Sequence, residues 1–265
     1  MMNDTPKDDA APTPPPTPQP PFLTPAPSPI PTPAGLLIID KPLRRSSMDV
    51  CRIVRRKLVL AGAPKRVKVG HGGTLDPLAT GLLVILVGKA TPLCNKIMTE
   101  AKSYLTEIDL SAFSTTDDAE GERTEVAVAE PPTLEQVESV CRNFVGVISQ
   151  RPPAFSAMKI GGQRAYALAR RGEEVVLAAR PVRIDAITIL EYAYPRLRLN
   201  IDCGKGTYIR ALGRDIGTAL GTGGTIAALR RTRTGPFVIE QAKTVAELPD
   251  VLRQGDLLAI PNELA

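Results

Sequence analysis

Alternation and helical spacing divide the chain into recognisable elements. Residues 36–40 form a short apolar run that predicts a strand. From Ser47, the predicted N-cap, Val50, Ile53, Val54 and Leu58 recur at helical spacing, with Arg52, Arg55 and Arg56 largely off that stripe. Residues 82–87 are continuously apolar and short enough for a buried strand, and residues 104–110 alternate as a further strand should. Thr133 and Gln136 make a capping box ahead of Leu134, Val137, Cys141 and Phe144, and Gly146 stops that helix. Residues 196–203 put Leu197, Leu199, Ile201 and Cys203 on one face. Ile209, Leu212, Ile216 and Leu220 mark a helix ended by Gly221. No repeat is visible and the strands follow no regular βαβ alternation. The expected class is therefore α+β, with a mixed, largely antiparallel central sheet flanked by helices and loops.

Composition sets the first 34 residues apart. They hold 13 of the 26 prolines in a chain of 265 and almost no apolar residues, so burial cannot offset their ordering entropy. A disordered tail is expected over residues 1–34, leaving 231 residues for one large domain or two small ones. No apolar run approaches the ~18 residues of a membrane span, and the N-terminus lacks a signal peptide's apolar core. The cysteines at 51, 94, 141 and 203 form no CxxC pair, and His71 is the only histidine. A four-ligand zinc site can hardly be assembled from that set. Buried, reduced thiols in a cytoplasmic protein are the simpler expectation.

The net charge of +5 is unevenly placed. Residues 35–75 carry ten basic residues against Asp40 and Asp49, and residues 204–235 carry six against Asp215. One basic run is as well explained by a solvated helix face; two separate blocks favour a phosphate-rich partner. The end of the first block runs into the most unusual segment, Val69-Gly70-His71-Gly72-Gly73-Thr74-Leu75-Asp76-Pro77-Leu78-Ala79-Thr80-Gly81. Its glycines allow close backbone approach to a ligand, and Pro77 fixes the chain just after Asp76. Taken alone, Asp76 reads more simply as a turn residue or helix cap, since Asp-Pro favours turns. Two familiar templates fail. Gly88-Lys89-Ala90-Thr91 lacks the glycine spacing and the Ser/Thr of a nucleotide phosphate loop, and no GxSxG elbow exists to present a serine to His71.

The segment from Gly70 to Gly81 resembles the signature loop of the TruB family of bacterial tRNA pseudouridine synthases. The likeness continues in family order through Leu37-Ile38-Ile39-Asp40-Lys41-Pro42, Gly88-Lys89-Ala90-Thr91, Lys102-Ser103-Tyr104, Pro152-Pro153-Ala154-Phe155-Ser156-Ala157-Met158-Lys159, Gly206-Thr207-Tyr208-Ile209-Arg210 and Leu229-Arg230-Arg231-Thr232-Arg233-Thr234-Gly235-Pro236-Phe237. It implies a pseudouridine synthase fold over residues 35–250, an RNA-clamping insertion at 151–180, and a C-terminal extension at 251–265 in place of the small RNA-binding domain of many members.

What the resemblance implies about chemistry can be set out residue by residue. Asp76 is the catalytic carboxylate, acting on ribose C1′ of uridine 55 in the TΨC loop as a nucleophile or by stabilising positive charge on the sugar. Arg210 pairs with and orients it. Tyr104 stacks on the target base and is a candidate for proton transfer. His71 fills the space left by the extruded nucleotide, and Tyr208 and Leu229 line the uracil pocket. Extrusion is needed because a stacked uridine hides C1′ and C5. Lys41, the arginines at 44–56 and Lys205 track tRNA phosphates without reading sequence. No cofactor or metal is implied, because the reaction is an isomerisation. The implied partner is tRNA, bound by a monomeric cytoplasmic enzyme with no obligate protein partner. Arg44 stands where the family usually has glycine, which implies an altered loop and an added phosphate contact there. Each residue also has a plain structural reading, Tyr104 as core and His71 as a surface or packing residue. A non-catalytic tRNA-binding chaperone and a guided synthase acting on another RNA are the rival functions.

Overall fold

The computed structural model describes residues 32–156, 158–173 and 175–261. The proline-rich tail lies outside the described residues except for 32–34. Ala34 belongs to the folded part: its N–H donates to Gln254 Oε1 at 2.9 Å, and Gln254 Nε2 donates back to its carbonyl at 2.9 Å.

Fourteen strands and five α-helices follow one another along the described chain. The first half holds β1 (Gly35–Lys41), α1 (Ser47–Leu60), β2 (Val69–His71), β3 (Ala79–Val87), α2 (Cys94–Thr99), β4 (Lys102–Asp109), β5 (Ala112–Ser114), β6 (Arg123–Glu125) and α3 (Leu134–Asn143). Next come β7 (Gly146–Gln150), β8 (Lys159–Ile160), β9 (Gln163–Arg164), α4 (Ala165–Arg170), β10 (Arg180–Ala193) and β11 (Arg196–Cys203). The remainder is α5 (Ile209–Leu220), β12 (Thr225–Thr234), β13 (Phe237–Val238) and β14 (Lys243–Thr244). Ten strands make one sheet in the order β14-β1-β3-β12-β4-β11-β10-β7, with β2 paired to β3 and β13 to β12. All its pairs are antiparallel except β1–β14 and β3–β12. This is the mixed, largely antiparallel α+β sheet expected from the sequence.

The apolar run in β3 is continuous because both faces of β3 and β1 are covered. Leu37, Ile39, Leu83 and Ile85 pack on one side with Val50, Val54 and Leu58 of α1, in a cluster that also takes in Val137 of α3 and Leu212 and Ile216 of α5. Leu36, Ile38, Leu82, Val84 and Leu86 pack on the other with Ile97 and Phe237. Helix α3 begins with the Thr133–Gln136 capping box, and α5 ends on Gly221 in the left-handed conformation. The cap of α1 is one residue earlier than the sequence suggested. Ser46 caps it and forms a capping box with Asp49, while Ser47 is buried and serves another purpose.

Residues up to 258 pack onto the domain. Leu248, Leu252 and Leu257 lie in the main core, and Leu36 and Leu258 exchange two backbone hydrogen bonds of 2.9 Å. Among the described residues no helix is long and apolar enough to cross a membrane.

Candidate active site

The loop after β2 carries Asp76 and is tied down from three sides. Ser47 Oγ accepts from the Leu75 N–H at 2.8 Å and donates to the Leu75 carbonyl at 3.0 Å. The Arg44 N–H donates to the Pro77 carbonyl at 2.8 Å. Arg231 reaches across from β12, its Nη2 donating to Gly73 O at 3.1 Å and its Nε to Leu82 O at 2.8 Å. The chain leaves the loop through Gly81, whose φ is +100° and where a Cβ would stand 2.2 Å from the Arg231 carbonyl oxygen. Only glycine permits both that φ and that approach of β3 to β12.

Asp76 opens on a cleft of about 480 Å³ lined also by Tyr104, Phe155, Tyr166, Tyr208, Arg210, Leu229 and Arg231. Arg210, at the start of α5, has only 6 % of its side chain exposed and donates from Nη2 to Asp76 Oδ2 at 2.8 Å. The same guanidinium reaches Asp118 Oδ2 at 3.5 Å, the Thr116 carbonyl at 3.0 Å and the Phe155 carbonyl at 2.9 Å. One buried cation thus gathers two carboxylates and two carbonyls, which fixes its position and aims Asp76 into solvent-filled space. Asp76 itself has 40 % of its side chain exposed.

Tyr104 lies in β4 opposite Ile201 and Arg231, buried except where it meets the cleft. Burial pushes its phenol up, the neighbouring guanidinium of Arg231 opposing, so the hydroxyl is protonated near neutrality. Tyr208 precedes α5, its backbone held by the fully buried Gln150, which accepts from its N–H at 2.9 Å and donates to its carbonyl at 3.1 Å. Arg180 lies over the Tyr208 ring, 5.4 Å from its centroid, and donates to the Gly206 carbonyl at 2.8 Å. Phe155, Ser156 and Tyr166, from the segment at 151–180, form one wall.

Five of the residues singled out in the sequence therefore meet in one cleft: Asp76, Tyr104, Tyr208, Arg210 and Leu229. Two do not. His71 ends β2 opposite Ile85 and lies outside the cleft lining; its Nδ1 is buried without a hydrogen-bond partner, and burial and then Arg231 hold the imidazole below its usual pKa. Lys41 is wholly buried, so it cannot follow phosphates from the surface. Its Nζ donates to the carbonyls of Arg45 at 2.6 Å and Pro42 at 3.0 Å, with Pro77 O at 3.5 Å, and burial lowers its pKa to about 8. It braces the turn after β1 against the Asp76 loop.

Most arginines of the second basic block are committed to partners within the protein. Arg214 pairs with Asp117 and Asp215, Arg230 with Asp40, and Arg233 with Asp202. Arg231 is 1 % exposed with no carboxylate within salt-bridge distance among the described residues, an unneutralised cation beside Tyr104. Sequence reasoning missed it by reading the arginines together. Alternation from Leu229, assigned to the pocket, puts Arg231 on the same face two residues later. Asp118 and Ser47 gave no comparable signal. Arg44 adopts φ +60°, the left-handed conformation that glycine takes freely. The four cysteines are free thiols; Cys51, Cys141 and Cys203 are buried, whereas Cys94 is only half-buried, with its Sγ 3.1 Å from the His71 carbonyl oxygen.

Residues 56–209 match the model of the TruB family pseudouridylate synthase N-terminal domain, and residues 210–258 that of the tRNA pseudouridylate synthase B C-terminal domain. The chain belongs to the TruB family. It is 42 % identical over 228 residues to a tRNA pseudouridine synthase B of Phocaeicola vulgatus, covering 86 % of this chain and 97 % of that protein. It is 46 % identical to a tRNA pseudouridine synthase B of Paenarthrobacter aurescens, over 83 % of this chain and 70 % of the relative. Among solved structures it resembles a chain of an archaeal box H/ACA Nop10–Cbf5 complex at 26 % identity and a TM-score of 0.58, over 80 % of this chain. It spans about half, 52 %, of that larger chain. The two TruB models meet inside α5, between Ile209 and Arg210, where the structure has no boundary.

Proposed function

We propose that this TruB-family enzyme converts uridine 55 in the TΨC loop of tRNA to pseudouridine, with Asp76 as the working carboxylate. The observation that carries the reading is the 2.8 Å pair between Asp76 and the buried Arg210 at the wall of a cleft that also presents Tyr104. A uridine turned out of its stack enters that cleft with its base against Tyr104 and its C1′ beside Asp76. The carboxylate attacks C1′, or stabilises the positive charge there, as the bond to N1 breaks with its electron pair leaving on the base. The base turns and C5 bonds to C1′, displacing the carboxylate with the electron pair of any C1′–O bond it had formed; the C5 proton is then lost and N1 is protonated. Atoms and electrons balance within the nucleotide, so the step calls for no cofactor. Tyr208, Leu229 and Phe155 shape the base pocket, and Arg231 supplies positive charge near the phenol of Tyr104. The substrate reading extends to a monomer acting in the cytoplasm without an obligate protein partner, on a catalytic domain spanning residues 35–250.

The test is release of tritium from uracil C5 of an unmodified tRNA transcript by the purified chain and by Asp76→Asn, with RNA binding followed in parallel. Release by the wild type alone, with both proteins binding, supports the assignment. Binding without release from any tRNA would sink it and leave a tRNA-binding chaperone as the better account. Mapping the product to another position would refute the choice of uridine 55 alone.

A further inference from the structure

Arg44 holds a backbone conformation that its side chain disfavours. At φ +60° the Cβ of an L-residue crowds its own backbone, and glycine would occupy the turn without strain. The surrounding structure enforces the geometry: the Arg44 N–H is bound to Pro77 O at 2.8 Å, and the next carbonyl, of Arg45, receives Lys41 Nζ at 2.6 Å. Among the described residues, no contact of the Arg44 side chain offsets the strain. The side chains of Arg44 and Arg45 are exposed, and among the described residues neither has a hydrogen bond or a carboxylate within salt-bridge distance. The nearest acid in sequence, Asp49, is already engaged by Ser46 and Arg52. Two neighbouring cations therefore stand free, next to Ser46, which lines the cleft. Strain kept at such a place points to a role outside the resting molecule.

We propose that Arg44 and Arg45 form a phosphate clamp at the mouth of the cleft, gripping the RNA backbone beside the nucleotide delivered to Asp76. This rests on the RNA-modifying function above and adds where the strand is held. Phosphate contacts fix register without reading sequence. Here the contact is anchored, through the Arg44 N–H and Pro77, to the residue that follows the catalytic carboxylate. Binding of the backbone and placement of Asp76 are then parts of one rigid turn.

The experiment compares the full chain with Arg44→Gly, Arg45→Gln, the double variant, and Lys243→Gln, a charge-matched control on β14. Affinity for an unmodified tRNA transcript is measured from about 50 to 300 mM KCl, and each released phosphate contact removes roughly 0.7–0.9 from the slope of log affinity against log salt. The double variant is expected to lose about 1.4–1.8 from that slope and to bind at least tenfold more weakly at low salt. Lys243→Gln should change neither by a comparable amount. Arg44→Gly keeps the left-handed turn, so its melting temperature should not fall, which separates lost contact from lost fold. A double variant with the wild-type slope overturns the clamp, as does a slope change no larger than that of the control. Failure of the wild type to bind tRNA at all would refute the functional reading itself.

Discussion

Replacing Arg210 by methionine separates what this residue does for the fold from what it does for the chemistry. The guanidinium is 6 % exposed and neutralises Asp118, itself only 9 % exposed, while donating to the Thr116 and Phe155 carbonyls. Removing it leaves Asp118 with hydrogen bonds from Thr116 Oγ1 and the Glu120 N–H but without a counter-charge, a change that costs up to about 3–5 kcal/mol when one partner of a buried pair is deleted. Asp76, at 40 % exposure, is screened by water and adds little to that figure. The catalytic loss has another origin: without its 2.8 Å partner Asp76 is free to swing, and a displacement of ~1 Å at a reacting group costs on the order of 100-fold. Urea melts of Arg210→Met, Asp118→Asn and the double variant measure the first effect. Single-turnover tritium release measures the second. The double variant should regain much of the stability, because the stranded charge is gone, while its rate remains as low as that of Arg210→Met. If Arg210→Met melts within about 1 kcal/mol of the wild type, or Asp118→Asn gives no recovery, the account of Arg210 as the neutraliser of a buried carboxylate is wrong.

Other outcomes follow from the same geometry. Gly81→Ala places a methyl 2.2 Å from the Arg231 carbonyl oxygen at a φ of +100°, so it should destabilise by about 2 kcal/mol or more in a thermal melt and slow turnover. A variant as stable as the wild type would show that β3 and β12 can separate freely. Burial lowers Lys41 from 10.5 to about 8 in the fold, so between those values the unfolded chain binds more protons and the native state gains stability as pH rises. The stability of the wild type relative to Lys41→Met should therefore grow by up to about 3 kcal/mol between pH 8 and 10.5, read by urea melts at both ends. A constant difference would contradict a buried ammonium. Burial pushes Cys51, Cys141 and Cys203 to about 11, while Cys94 is half-buried. Maleimide labelling followed by mass spectrometry should find Cys94 modified first in the native protein; early labelling of Cys203 would refute the packing of β11.

The elements legible in the sequence are those whose burial pattern is simple. Strand β11 alternates because one face is covered, and α3 and α5 carry a cap or a stop at their ends. Strand β10 escaped notice because its pairing with β11 shifts register between Ile184 and Ala186 and between Ile189 and Glu191, and each shift breaks the two-residue period. Strand β12 was hidden by charge: three arginines in four residues read as surface, yet each finds a partner within the protein. The site was legible as far as its residue types are unusual. Asp76 in its glycine-rich loop stood out, whereas Tyr104, Tyr208, Arg210 and Leu229 were marked only by the resemblance to the TruB family. The supporting residues did not, because Ser47, Asp118 and Gln150 act through contacts distant in sequence, such as the 2.8 Å bond from Leu75 to Ser47. Lys41 shows the opposite error, since a charge expected in solvent can be buried when enough carbonyls converge on it.

Among the described residues, strand β12 is the one link in the sheet between β3 and β4. The half with β1, β2 and β3 brings the Asp76 loop; the half with β4, β11, β10 and β7 brings Tyr104 and leads into Arg210. Their junction is made by residues 225–234, late in the order of synthesis. A growing chain on the ribosome can thus assemble each half early, but the cleft closes only after β12 has emerged and slid between them. Folding of this enzyme should accordingly wait on a late, long-range step, and a nascent chain short of Thr234 should neither bind nor modify RNA as the finished protein does.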